Sequence, residues 1–359
     1  MTKRGLIEEK LNLVAARMMT LKNHDMKEVF PISLIDIDCW EWPQGVGLFG
    51  LYKYYTVSKK QEILDFLLSW YDARISEGIL EKNINTTSPM LTLTYLYEIS
   101  GKESHLSLIK EWADWIMEEK GLIRTGDGCF QHMITGNPND GEILIDTIFM
   151  TLLFLARAGK ILGKPEYLDE VNYQVLNHIK YLFDKEAGLF YHGFNFNYNN
   201  NYGKVHWARG NCWYTVAILE YLNEFNIDPG LQRYFLSVYS SQLTALKTHA
   251  DAEKKLWHTI IDDASSYIEI SGSAGFLCGM IKGVKQCILS GEEYRGLIDS
   301  ALDSIITYIA EDGTVENVSY GTPIGHDSEF YKNIPVRPMT YGQALMILCL
   351  AEAMDTIPV

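Results

Sequence analysis

Residues 144–183 read LIDTIFMTLLFLARAGKILGKPEYLDEVNYQVLNHIKYLF. The first half, Ile145 to Ile161, is apolar on nearly every side, whereas Glu166 to Phe183 carries charges between apolar residues spaced three and four apart. That pattern predicts a buried helix followed, after a Gly and a Pro, by an amphipathic one. The same pair recurs along the chain. Apolar helices are expected at Pro43 to Tyr55, Ser88 to Ile99, Gly210 to Phe225, Ser271 to Leu289 and Thr340 to Met354. Amphipathic helices are expected at Ile7 to Thr20, Lys59 to Ile75, Glu103 to Glu119, Leu231 to Leu246 and Tyr294 to Ala310. Counting the quoted pair, there are six of each kind.

A repeat in which each hairpin must bury a face against its neighbours can close into a ring. The expected fold is therefore all-α, an (α/α)6 barrel with the apolar helices inside, formed by residues 1–359 as one domain. An open α-solenoid is the competing reading. The linkers after the outer helices are long and rich in His, Trp, Asn and Gly, for example GLFYHGFNFNYNNNYGKVHWARGN, so a cleft is expected at that end.

Composition narrows the class of protein. Lys plus Arg number 31 against 46 Asp plus Glu, a net charge of −15 that repels nucleic acid and anionic lipid. The longest apolar stretches, Thr147 to Ala156 and Leu345 to Met354, are too short to cross a bilayer. The opening MTKRGLIEEKLNLVAARMM mixes charges of both signs and lacks the apolar core of a signal peptide, so a cytoplasmic protein is expected. The six cysteines form no CxxC pair, consistent with reduced thiols and no zinc knuckle.

Gly45, Gly47 and Gly50 match the GxGxxG spacing, but Trp40-Glu41-Trp42-Pro43 before them is no strand. They are assigned to close helix packing rather than to a dinucleotide. No Walker loop, HExxH or GxSxG is present. Carboxylates remain. Asp146 opens an apolar helix and is either its N-cap or, under an aromatic loop, a desolvated acid with a raised pKa. The pairs Asp36 with Asp38 and Asp262 with Asp263 read as capping or surface groups. His192, His206, Trp207, Arg209, Asn211 and Trp213 cluster in one connection. Arg209 offers a fork for a carboxylate, and Trp207 and Trp213 offer faces to a sugar, which describes a uronic acid site. Tyr331 and Lys332 could add a hydroxyl and a cation from the rim, although a solvated loop accounts for them equally well.

The sequence resembles the unsaturated rhamnogalacturonyl hydrolases, glycoside hydrolase family 105. The resemblance is carried by WEWPQGVGLFGLYKYY, NTTSPMLTLTYLYE, DTIFMTLLFLARAGKILGKPEYLDE, FYHGFN, WARGNCWYTVAILEYL and FYKNIPVRPMTYGQA, and spans Trp40 to Ala344. It implies an (α/α)6 barrel that removes a 4,5-unsaturated galacturonyl residue from short rhamnogalacturonan fragments by hydrating its double bond. It also implies Asp146 as acid and base, His192 beside the double bond, and Arg209, Trp213, Tyr331 and Lys332 as substrate-binding residues, to which Trp207 and Trp42 are added as expected sugar contacts. No metal or cofactor is implied; the partner is a small unsaturated oligosaccharide, and its binding is expected to be salt sensitive.

One position departs from the pattern. Sister enzymes acting on unsaturated glucuronyl oligosaccharides resemble this chain but use a second aspartate where it reads Asn85-Thr86-Thr87-Ser88. An unsaturated glucuronyl hydrolase, a non-catalytic sugar-binding toroid and an inverting glycanase with paired carboxylates stand as alternatives.

Overall fold

The computed structural model describes residues 2–22, 35–78 and 81–356. The apolar segments fold as α2 (Trp42–Ser58), α4 (Ile84–Ser100), α6 (Leu153–Leu162), α8 (Ala208–Glu224), α10 (Ile270–Lys285) and α13 (Thr340–Thr356). The amphipathic ones fold as α1 (Lys3–Thr20), α3 (Gln61–Glu77), α5 (Glu103–Met117), α7 (Pro165–Leu182), α9 (Pro229–His249) and α11 (Gly291–Ile305). Burial separates the two sets. Every residue of α10 from Ile270 to Gly283 is buried. In α11 burial is confined to Tyr294, Ile298, Ala301, Leu302 and Ile305, one stripe at helical spacing.

The inner helices pack in the order α2, α4, α6, α8, α10, α13, and α13 returns onto α2. An open solenoid would leave that last contact unmade; the ring is closed. Each of α3, α5, α7, α9 and α11 lies on the inner helix before it, and α1 lies on α13. Gly45 and Gly50 permit the closest approaches. A Cβ on Gly45 would sit 2.5 Å from the Pro89 nitrogen of α4, and one on Gly50 would sit 3.1 Å from the Ala344 Cα of α13. No strand precedes α2 among the described residues, so these glycines serve packing.

Helix boundaries differ from expectation at several places, α1 and α4 each starting four residues early, at Lys3 and Ile84. The helix expected to reach Leu289 ends at Lys285, where Cys287 takes a left-handed φ of 58° and the Gly283 carbonyl accepts the Ile288 and Leu289 amides. The one expected to reach Ala310 tightens into a 3-10 turn at Ile306–Tyr308. The segment around Tyr331 is not all loop: it holds α12 (Ser328–Lys332), N-capped by Asp327.

Each inner helix follows a returning outer one, so all six inner helices begin at the same end, under the long connections. Two strands fasten those connections together. β1 (Glu142–Leu144) precedes Asp146, and two further short strands, β2 (Phe183–Asp184) and β3 (Leu189–Phe190), pair with each other. β4 (Gly193–Asn195) runs antiparallel to β1, with Leu144 opposite Gly193. This pairing carries His192 alongside Asp146. Among the described residues, no helix is long and apolar enough to cross a membrane.

Candidate active site

Asp146 stands where β1 turns into the third inner helix, which opens with a π turn over Ile148–Leu152. The main-chain oxygens of Ile145 and Asp146 accept the amides of Ile148 and Phe149 at 3.2 and 3.1 Å, so the Asp146 side chain is not needed as a cap. Oδ1 accepts the Trp213 indole N–H at 2.9 Å, and Oδ2 lies 3.5 Å from His192 Nε2. Neither Oδ2 nor Nε2 has a hydrogen-bond partner among the described residues. The expected rise in the Asp146 pKa is not found. Burial pushes the carboxyl up, but the close approach of His192, then the influence of His132 and Arg209, outweighs it and holds the group below the usual aspartate value.

His192 is buried, its Nδ1 2.8 Å from the Tyr331 hydroxyl, its ring against Trp207 at 4.4 Å between centroids. The Ile145 amide donates to the His192 carbonyl at 3.0 Å, locking the two connections at this point.

Several expected substrate contacts lie elsewhere. Arg209 is fully buried between the rings of Trp207 and Tyr341, 4.3 and 4.5 Å from their centroids. One arm of its fork donates to the carbonyl and hydroxyl of Ser319, the other to the Tyr320 carbonyl at 2.9 Å and the Thr322 hydroxyl at 3.2 Å. It anchors the 319–322 segment and is not available to a sugar carboxylate. Trp213 is fully buried beside Trp42 and Phe149 and orients Asp146 instead of stacking on substrate. Trp207 and Tyr331 are likewise sealed behind His192. Lys332 pairs with Asp263 at 2.7 Å and Ser265 at 3.0 Å, away from the cavity. His206 binds Asp262 at 2.7 Å, and Asn211 ties Phe190 and Trp207 together through the main chain. Asp38 pairs with Lys22 at 2.6 Å.

The cavity itself has a volume of about 430 Å³. Asp146 and Trp42 reach it, Trp42 being stacked on Tyr341 at 4.6 Å. So does Asn85, noted above where a second aspartate is missing, and so do residues the sequence did not single out: Glu41, His132 and Glu142, with Thr135, Asn137, Asn139, Tyr202 and His326. Glu41 accepts from Thr135 at 2.7 Å and from the Trp42 amide at 3.0 Å, and burial raises its pKa. Burial also raises Glu142. His132 contacts Thr147 at 2.9 Å and is pressed down to about 4 by burial, which keeps it neutral. The signal was the loop GDGCFQHMITGNPNDGEIL as a whole; no spacing within it marks His132 or Glu142.

Among the described residues, six inner and six outer helices gather carboxylates and aromatic side chains at one mouth, a cavity chemically suited to a sugar. The family model of Glycosyl Hydrolase Family 88 matches residues 13–357. The chain is 29% identical over 324 residues to the unsaturated rhamnogalacturonyl hydrolase YesR of Bacillus subtilis, covering 88% of this chain and 90% of that one. It superposes with a TM-score of 0.93 on a possible member of GH105 family from Klebsiella pneumoniae, 36% identical, covering 99% of this chain and 94% of that one. The unsaturated glucuronyl hydrolase of Bacillus sp. GL1 shares the fold at a TM-score of 0.71 and 18% identity, covering 96% of this chain and 95% of that one. The chain belongs to Glycosyl Hydrolase Family 88, among the unsaturated rhamnogalacturonyl and glucuronyl hydrolases of the GH88 and GH105 groups.

Proposed function

We propose that the chain acts as a single catalytic domain and hydrates the 4,5-double bond of an unsaturated galacturonyl residue at the non-reducing end of short rhamnogalacturonan fragments. Asp146 is the acid and base of this reading. The observation that carries it is a carboxylate exposed to the cavity and held from behind by Trp213 and His192. The similarity to the Bacillus subtilis rhamnogalacturonyl hydrolase supports the choice of sugar.

In the empty cavity Asp146 is a carboxylate. A uronate entering beside it adds a second negative charge and expels water, and both effects raise its pKa. Protonated Asp146 then gives its hydrogen to C4 of the vinyl ether, leaving positive charge shared between C5 and the ring oxygen. Water adds at C5 and returns a proton to Asp146. The resulting hemiketal opens to a 5-ketone, and the hemiacetal left at C1 releases the partner sugar. One water is consumed and no second carboxylate is required, unlike ordinary glycoside hydrolysis. Binding falls to Trp42 and to neutral donors such as Asn85 and Asn139, because no Lys or Arg lines the cavity among the described residues.

Incubation with unsaturated galacturonyl-rhamnose should add the mass of one water and abolish the ultraviolet absorbance of the conjugated double bond. Asp146→Asn, which keeps shape but carries no transferable proton, should retain binding and lose at least about a hundredfold in kcat. Wild-type turnover in that variant would overturn the assignment. Faster turnover of an unsaturated glucuronyl disaccharide would move the substrate to the sister class.

A further inference from the structure

We propose that Tyr331 is a positioning residue that holds His192 in its Nε2–H tautomer, so that the imidazole turns an N–H toward Asp146 and cannot take the proton Asp146 must deliver. The inference rests on the reading of Asp146 as the acid, and deepens it.

It follows from counting hydrogens. The Tyr331 oxygen accepts the Gly325 amide at 3.0 Å and stands 2.8 Å from His192 Nδ1. A phenol has one hydrogen to place, and burial raises the Tyr331 pKa, so the hydroxyl keeps it. Nδ1 is the acceptor that the geometry provides, so Nδ1 is bare and Nε2 carries the ring proton, facing Asp146 Oδ2 at 3.5 Å. The ring cannot turn away, because Trp207 packs against it at 4.4 Å.

The consequence appears when Asp146 becomes protonated. Facing an N–H, its acid hydrogen has no acceptor on the imidazole and is left for the substrate. Facing a bare Nε2, the same hydrogen would pass to the ring, giving an imidazolium and a carboxylate that is a poorer acid toward carbon. The other charged or titratable groups about the pair are His132, Arg209 and Glu142. His132 bonds Thr147, Arg209 bonds the 319–322 segment and Glu142 bonds Asn195, so none of them sets the Nδ1 proton. Tyr331 itself is absent from the cavity wall and fully buried, so it acts through His192.

Nitrogen NMR of the free protein at neutral pH tests the assignment without substrate, with His192 identified by its loss in His192→Gln. The expected spectrum shows an unprotonated, hydrogen-bonded Nδ1 and a protonated Nε2, and in Tyr331→Phe that pattern shifts toward Nδ1–H or the charged ring. In turnover, Tyr331→Phe should lower kcat at least about tenfold, as a misplaced tautomer does, with KM within about twofold and the alkaline fall of kcat moved to lower pH. In a His192→Gln background the same substitution should cost nothing further. An Nδ1–H tautomer in the wild type, or an equal loss in both backgrounds, would overturn the proposal. The expected tautomer in a protein that leaves unsaturated galacturonyl-rhamnose intact would uphold the tautomer and overturn the hydration reading.

Discussion

At the scale of single residues, the pKa of Asp146 is set by a contest between burial, which raises it, and its neighbours His192, His132 and Arg209, which lower it more. Substrate enters this contest as a second anion. The reactive form is the protonated one, so kcat/KM, which reports the free enzyme, should fall as pH rises above a low pKa. The fall in kcat, which reports the complex, should begin about one pH unit or more higher. Parallel pH profiles of the two constants check this, and coincident breaks would show that bound uronate does not lift the carboxyl. Arg209 teaches the complementary lesson. An arginine beside two tryptophans reads as a carboxylate fork, yet its hydrogen bonds are spent on Ser319, Tyr320 and Thr322. Which acceptor a guanidinium finds depends on a segment more than a hundred residues away, and no local pattern carries that information.

Among the elements, the inner helices owe their close approach to small residues. Gly45→Ala would drive a Cβ to 2.5 Å from main-chain nitrogen in α4, where nothing can yield, and should destabilise the fold by about 1–3 kcal/mol. Gly296→Ala, in the middle of α11 with nothing within 4 Å, should instead stabilise by about 0.5–1 kcal/mol. Denaturant midpoints of the two variants would shift in opposite directions. The π turn at Ile148–Leu152 was not legible, because its residues are apolar whether the turn is wide or tight. Its effect is local: π turns occur often at functional sites, and this one begins two residues after Asp146.

For the molecule as a whole, acid should be the weak flank. His132 and His178 are held to about 4 by burial, against an ordinary imidazole value of about 6.5. Between those values the unfolded chain binds more protons, so stability falls as pH drops from about 6.5 to 4, by up to roughly 3 kcal/mol for each ring. Glu220, held at about 2 between Lys282 and Lys53 and fully ionised above its unfolded value, extends the loss below pH 4.5. Urea midpoints measured across pH 7 to 4 should decline, and a flat profile would contradict the buried neutral rings. Salt gives a second global test. With Arg209 and Lys332 engaged elsewhere, the expected cationic clamp is absent, and a chain of net charge −15 repels an anionic sugar. Raising salt should leave KM unchanged or lower it; a steep rise would restore a clamp.

Periodicity along the chain determined the twelve helices, their division into apolar and amphipathic layers, and the long loops at one end, because each depends on residues three or four apart. Asp146 stood out for a similarly local reason, a carboxylate at the edge of an apolar run, and His192 for its place in a loop crowded with His, Trp and Arg. Only the closed ring decided which polar groups meet. Asp146 bonds Trp213 across 67 residues, and His192 bonds Tyr331 across 139. Glu41, His132 and Glu142 reach the cavity, while Lys332 does not. A loop side chain takes its surroundings from where six hairpin ends converge, and that convergence exists only once the last inner helix has packed against the first.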